Sequence, residues 1–267
     1  MKTQSPFDLS GQVVVVSGGS RGIGRAISLM MAGAGAKVVV ASRKIEACEA
    51  VVAEIAAAGG EGLPVACNIS HADQRAALVA AAEKRFGPVS TLVCNAAANV
   101  HYGPLATLDA GSFEKIMNTN VGSNIDLINR VAPGMAAAGG GAVILLASIA
   151  GMVGSKLIGA YALSKAADSQ LARNYAVELG PKGIRVNAVC PATMPTPLVK
   201  EVWMTGGSYT GKTGTWEEKQ VVAAQKYPLR RLGSTADCAS LVVFLASDES
   251  TWMTGLAIPL DGGMSAG

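Results

Sequence analysis

The chain has 267 residues, half of them apolar and 15% charged, with a formal net charge of +3. That length and composition fit one large α/β domain, 1–267, with helices on both faces of a buried parallel sheet and no spare segment for a second domain. The basic residues are few and scattered, which argues against a nucleic-acid or anionic-membrane surface.

Five cysteines, Cys48, Cys67, Cys94, Cys190 and Cys238, are an odd number without the spacings of a metal site or a disulfide framework. They read as reduced core residues of a cytoplasmic protein. No apolar run precedes Asp8, and no later stretch gives the roughly 18 uninterrupted apolar residues that a membrane helix needs, so a soluble, untargeted chain is expected.

Strand and helix patterns alternate along the chain. Gln12 to Ser17 is a short β-branched run ending in a glycine turn, and Arg25 to Ala34 has helical composition before Gly35 stops it. Lys37 to Ala41 is the next strand, followed by an Ala-rich helix from Ile45 to Ala58 that ends at Gly59-Gly60. Leu63 to Ile69 gives a third strand. A helix from Asp73 to Phe86 leads to strand Thr91 to Cys94, and a helix from Phe113 to Met135 leads through Gly139-Gly140-Gly141 to strand Ala142 to Ala147. After the helix carrying Tyr161 come strand Ile184 to Val189, helix Ala236 to Ala246 and strand Ala257 to Leu260. Repeated β-α alternation implies a Rossmann-type doubly wound sheet that binds ligands at the carboxyl ends of its strands.

The turn Ser17-Gly18-Gly19-Ser20-Arg21-Gly22-Ile23-Gly24 follows a strand and opens a helix, the context a dinucleotide fingerprint requires. Gly18 permits the tight turn, Gly22 lets backbone approach a pyrophosphate, and Gly24 allows close helix packing. The helix N-terminus offers free N–H groups to the phosphates, and Ser20 and Arg21 add side-chain contacts. At the end of the second strand stand Ser42 and Arg43, where an acidic residue would bind the adenosine ribose diol. Two guanidiniums, Arg21 and Arg43, and no carboxylate predict NADP(H) over NAD(H). The bland alternative is that Arg43 solvates a loop.

Tyr161 and Lys165 lie one helical turn apart, which places the ammonium beside the phenol. A free phenol titrates near a pKa of about 10, and a neighbouring cation together with a bound nicotinamide brings it toward working pH as a general acid/base. In isolation this pair reads as a packing tyrosine and a solvated lysine. Ser148 alone reads as a strand-end hydroxyl, and Asn120 alone as a local helix distortion.

Taken together, these motifs resemble those of the short-chain dehydrogenase/reductase family, from the glycine turn to Trp252-Met253-Thr254-Gly255 and Asp261-Gly262-Gly263. The resemblance implies a catalytic set of Asn120, Ser148, Tyr161 and Lys165. Ser148 would orient the substrate oxygen, Tyr161 would exchange its proton, and Lys165 would bind the nicotinamide ribose hydroxyls. Asn120 would hold a water next to Lys165 in a proton relay. A strand-end Asn is retained as Asn95, in Cys94-Asn95-Ala96-Ala97. Asn68 stands where the family has an adenine-contacting Asp, and Thr196 where it has a Thr that contacts the carboxamide. The nearest groups by motif are 3-oxoacyl-[acyl-carrier-protein] reductases and carbonyl reductases, and family assembly implies a homotetramer.

His71 is expected at a helix start with a structural role, and His101, with Tyr102, on the rim where substrate enters. The segment 198–227 corresponds to the family's substrate lid. Its Trp203, Met204, Tyr209 and Trp216 point to an apolar or ring-bearing substrate, and Gly206, Gly207, Gly211 and Gly214 to a segment that orders with ligand. The reading is thus an oxidoreductase acting on a small secondary alcohol or ketone. Its alternatives are an NAD-linked catabolic dehydrogenase and a non-catalytic dinucleotide-binding regulator.

Overall fold

Valine-rich runs make the centre of the sheet. In the computed structural model, which describes residues 7–204 and 213–266, β1 (Val13–Ser17) is buried along its whole length. β2 (Lys37–Ser42), β4 (Thr91–Cys94), β5 (Gly141–Leu146) and β6 (Ile184–Pro191) are nearly as apolar. Such runs are what parallel strands covered on both faces require. With β3 (Glu61–Ala66) and β7 (Ala257–Leu260) they form a seven-stranded sheet in the order β3-β2-β1-β4-β5-β6-β7, every pair parallel. The two margins each contain a proline, Pro64 opposite Val40 and Pro259 opposite Cys190.

Successive strand residues face opposite layers. Val15, Leu92 and Val143 pack against α3 (Ala72–Phe86), α5 (Ser123–Ala137) and α6 (Gly159–Leu179) through Leu78, Leu127, Val131 and Tyr175. Val14, Val38 and Ile144 pack against α1 (Gly22–Gly33), α2 (Ile45–Ala57) and α9 (Thr235–Ala246) through Ile27, Met31, Ile55 and Val242. All five cysteines are buried free thiols of these layers. The chain winds to β2 and β3 on one side of β1, then crosses to β4 on the other. Ser17 and Cys94 therefore lie side by side at the carboxyl ends of the strands where the winding reverses, which is where such sheets bind ligands.

Three elements differ from the sequence expectation. The third strand spans Glu61–Ala66, not 63 to 69, because Asn68 turns the chain into α3: its Oδ1 accepts from Ser70 N at 3.2 Å and its N–H donates to Gln74 at 2.8 Å. The helix starting at Arg25 begins instead at Gly22, whose φ of +53° glycine alone adopts easily. The helix expected from Phe113 to Met135 is two. α4 (Ala110–Met117) starts where Asp109 caps it, accepting from Ser112 N at 2.8 Å, and a π-helical turn, Asn118–Gly122, joins it to α5. Within that turn the Asn120 carbonyl accepts from the Asn124 side chain, a competition for backbone groups that loosens an α-helix.

α9 is anchored by a reciprocal cap: Ser234 Oγ accepts from Asp237 N at 3.1 Å, and Asp237 accepts from Ser234 N at 2.7 Å. The forked Arg231 guanidinium, and after it these bonds from Ser234, hold the Asp237 carboxyl down at about 2 from the ordinary 3.8. A carboxyl lowered on folding stabilises the fold above its unfolded value and loses that contribution as pH falls toward its folded one. Asp237→Asn is expected to cost about 1 kcal/mol at neutral pH and to flatten the fall in Tm between 3.8 and about 2, as read by melting curves across that range.

Candidate active site

The glycine turn forms one wall of the crevice. Gly18 has φ +67°, and a Cβ there would lie 2.8 Å from Asn95 Nδ2; a Cβ on Gly24 would lie 2.1 Å from the Gly18 carbonyl oxygen. The turn is braced from β4: Asn95 Nδ2 donates to the Ser17 and Gly18 carbonyls at 3.1 and 3.0 Å, and Asn95 N donates to Ser17 Oγ at 3.0 Å. Arg21 stands at the N-cap of α1 without a side-chain cap bond, so the first N–H groups after it, from Gly22, Ile23 and Gly24, are left for an anion. A Cβ on Gly22 would lie 3.3 Å from Thr196, which brings Thr196, at the start of α7 (Pro197–Met204), to the same turn. These residues and Ser20 fit a dinucleotide pyrophosphate, because side chains would fill the space its backbone contacts need.

At the end of β2, Ser42 Oγ turns to the Lys44 carbonyl and the Cys48 thiol, while Arg43 is exposed. Arg25 is spent on Glu54 across α1 and α2. Arg21 and Arg43 make no ion pair among the described residues, so both guanidiniums are available to a phosphate. Asn68 has its side-chain carbonyl engaged in the turn into α3, while its amide makes no hydrogen bond among the described residues.

β5 delivers Ser148, and α6 delivers Tyr161 and Lys165. Ser148 is half-buried and its Oγ accepts from Ala150 N at 3.1 Å, so its own proton is not used by that bond. The following turn lies directly on α6: a Cβ on Gly151 would be 2.6 Å from backbone atoms of Lys165 and Ala166. Lys165 Nζ is 5.7 Å from the Tyr161 ring centroid and donates to the Leu146 carbonyl at 2.6 Å. Asn120 is fully buried in the π turn. Its Nδ2 donates to the Ala98 carbonyl and to Ser164 Oγ, both at 2.9 Å, and its Oδ1 accepts from Ala98 N at 2.7 Å. Asn120 thus ties the strand-end loop after β4 to α6, with its amide donors committed.

Two residues that the sequence reading passed over join this group. Asp168, one turn beyond Lys165, has no exposed surface; its Oδ2 accepts from Lys165 Nζ at 2.9 Å. Asn124 on α5 donates to Asp168 Oδ1, also at 2.9 Å. Burial is the largest single influence and works against the Lys165 charge, but the Asp168 carboxylate, the neighbouring Tyr161 and the Asp168 hydrogen bond together outweigh it and hold the ammonium above its ordinary value. The signal in the sequence was an acid at three-residue spacing from the lysine, on the same helix face.

At the rim, His101 Nε2 pairs with Thr107 at 3.1 Å and its Nδ1 is buried without a partner. His71 is the N-cap residue of α3. Burial pushes the Tyr102 phenol up, a hydrogen bond with Asn99 opposes this, and the nearby Tyr161 and Glu201 of α7 raise it further. α8 (Trp216–Ala224) follows α7 in the chain. Trp203 is buried with its ring centroid 5.5 Å from that of Trp216, so these aromatics pack on one another. Tyr209, Gly206, Gly207 and Gly211 lie outside the described residues. Among the described residues there is no metal-binding group of His, Cys, Asp and Glu, and no helix long and apolar enough to cross a membrane.

A family model described as enoyl-(acyl carrier protein) reductase matches residues 18–265. Dehydrogenase/reductase SDR family member 4 of Mus musculus is 35% identical over 260 residues, which cover 96% of this chain and 88% of that protein. Short-chain dehydrogenase/reductase SDRA of Arabidopsis thaliana is 33% identical over 264 residues, 99% of this chain and 98% of that one. Among solved structures, a 7α-hydroxysteroid dehydrogenase complexed with NADH and 7-oxo glycochenodeoxycholic acid is similar with a TM-score of 0.88 and 33% identity, covering 98% of both chains. Together with the parallel sheet and its braced glycine turn, these matches show that the chain belongs to the short-chain dehydrogenase/reductase family, oxidoreductases that act on alcohols and ketones with a nicotinamide dinucleotide.

Proposed function

We propose that this chain is an NADP(H)-dependent oxidoreductase that interconverts a secondary alcohol and a ketone, with Tyr161 as general acid/base. The observation that carries this reading is the Lys165 ammonium 5.7 Å from the Tyr161 ring, with the Ser148 turn packed on the same stretch of helix. NADP(H), when bound, supplies or removes the hydride. Ser148 donates its unspent proton to the substrate oxygen and so fixes the carbonyl or carbinol. In reduction, Tyr161 passes its proton to that oxygen and is reprotonated from solvent; in oxidation it takes the proton back. Lys165 retains one N–H beyond its bonds to Leu146 and Asp168, enough to reach a ribose hydroxyl while its charge favours the phenolate. Asn120 holds the loop after β4 against α6, and a water relay there would use its carbonyl oxygens, since its amide donors are committed.

Gly18, Ser20, Arg21, Gly22, Ile23, Gly24, Asn68, Asn95 and Thr196 bind the dinucleotide in this reading, and Arg43 with Arg21 takes the 2′-phosphate. Arg43→Asp is expected to lower the NADPH-over-NADH ratio of kcat/KM at least about tenfold, the value of a lost charge-assisted bond. An unchanged ratio from parallel initial-rate assays overturns the cofactor assignment. The substrate is read as apolar or ring-bearing, in keeping with the bound 7-oxo bile acid of the similar hydroxysteroid dehydrogenase. Rates across a 3-oxoacyl thioester, a steroid ketone and cyclic diketones test this. A homotetramer is the assembly that the family resemblance suggests, checked by light scattering, with Val177 on α6 and Trp252, 82% and 99% exposed, as apolar surface that association would cover; the cytoplasm is the compartment expected.

A further inference from the structure

A buried ion pair is weak grounds for stability, since apolar residues of similar volume often serve as well. Here Lys165 and Asp168 are 2% and 0% exposed, and the network accepts an unpartnered Asn124 Oδ1 beside them. That cost is borne at the reacting tyrosine. Asp168 itself is held on both oxygens, by Lys165 and by Asn124, and Asn124 is fixed in turn by donating to the Asn120 carbonyl at 2.5 Å. Two of the three ammonium donors are therefore spent on Leu146 and Asp168, and the ammonium has one direction left.

We propose that Asp168, braced by Asn124, is a positioning residue for the acid–base step: it fixes the Lys165 ammonium and offsets its charge, so that Tyr161 works beside an ion pair, not beside a lone cation. This inference rests on the reading of Tyr161 as general acid/base given above.

The groups that face the pair are few. Tyr161 comes from α6 itself, Cys94 from the end of β4 and Cys190 from β6. Burial pushes both thiols above their ordinary range, so neither carries charge at working pH. Asn120 and Asn124 approach from the π turn and α5 and do not titrate. Burial pushes the Asp168 carboxyl up and its bonds with Lys165 and Asn124 oppose this, and apart from the Tyr161 phenol itself it is the one group facing Lys165 among the described residues that can balance its charge, 2.9 Å from it. Asp168 follows Tyr161 by seven residues on α6, about 10 Å along the axis, and at an effective dielectric of about 20 a charge at that separation shifts a titration by on the order of one pH unit.

The test compares wild type with Asp168→Asn, Asp168→Glu and Asn124→Ala. Phenolate formation is followed by ultraviolet difference titration with and without NADP+, using Tyr161→Phe as the reference. The pH limb of kcat/KM is recorded on the same proteins. Asp168→Asn is expected to move both the Tyr161-dependent titration and the kinetic limb to lower pH by about one unit. Asn124→Ala should move them the same way by less, and Asp168→Glu should restore the wild-type position. NADPH titration and melting curves report that each protein is assembled; if Asp168→Asn does not fold, Asn124→Ala carries the comparison. Profiles that coincide with wild type, or that move to higher pH, overturn the inference. If Tyr161→Phe is inactive and the Asp168→Asn profile coincides with wild type, only Asp168 loses its role. Full turnover by Tyr161→Phe would instead remove the reading on which it rests.

Discussion

Tyr161→Phe is expected to lower kcat by on the order of 10²–10⁴, the usual contribution of a positioned acid/base, while NADPH affinity changes less than about tenfold. The split follows from the site. The glycine turn, the brace from Asn95 and the free N–H groups of α1 do not touch the phenol, so the dinucleotide keeps its cradle. What is lost is the group that carries the proton between substrate oxygen and solvent. Fluorescence titration of NADPH and single-turnover rates on the best substrate of the panel separate the two effects. A protein that binds dinucleotide without turnover would show no catalytic loss on this change, and so the same pair of measurements discriminates the regulatory alternative. If instead kcat holds while binding collapses, the ring serves packing and the proton moves elsewhere.

Two glycines of the same helix should respond oppositely to alanine. At Gly24 the added methyl would sit 2.1 Å from the Gly18 carbonyl and 2.5 Å from Asn95 Nδ2, and a carbonyl held in a tight turn has nowhere to move. Gly24→Ala is expected to cost about 1–3 kcal/mol of stability, as overpacking does, and to weaken NADPH binding more than about tenfold, because the turn must open to admit it. At Gly33 nothing lies within 4 Å of the same methyl. Gly33→Ala is expected to raise stability by about 0.4–1 kcal/mol, through the smaller entropy of the unfolded chain, with NADPH affinity unchanged. Denaturant curves and NADPH titration on both variants check the contrast. Equal behaviour at the two positions would mean that the close approach at Gly24 does not govern the cradle.

Much of this was legible in the sequence because it depends on local pattern. The β-branched runs of β1, β2, β5 and β6 are strands buried on both faces, and such runs leave little choice of element. The spacing of Tyr161 and Lys165 works on any helix, and the glycine turn announces itself by following β1. Boundaries set by side chains of distant residues were harder to see. Nothing in the order of residues 113–135 shows that Asn120 would reach Ala98 and Ser164, and that Asn124 would bond its carbonyl, so that the helix takes a π turn there. Asn68 likewise ended β3 early through bonds with Ser70 and Gln74.

The site shows the same division. The glycine turn is marked by adjacency in sequence, since Gly18, Gly22 and Gly24 stand between β1 and α1. Asp168 and Asn124 carry no such mark, because their place in the site arises from a contact across elements, the bond from Asn124 of α5 to Asp168 of α6. Trp203 and Trp216, which from composition point to an apolar or ring-bearing substrate, lie against each other. A count of aromatics in a segment cannot tell a lining from a local core.

The prolines at the two margins of the sheet, Pro64 in β3 and Pro259 in β7, have a consequence for how copies of this protein meet. An edge strand with all its N–H groups is a template on which another chain can continue the sheet, and that is a common route to aggregation. Each margin here lacks a donor at mid-strand, which interrupts any ladder that a neighbour could build. Contact between copies through side chains of helices and strand flanks is thereby favoured over continuation of the hydrogen-bonded sheet. Growth by strand addition is disfavoured at both margins.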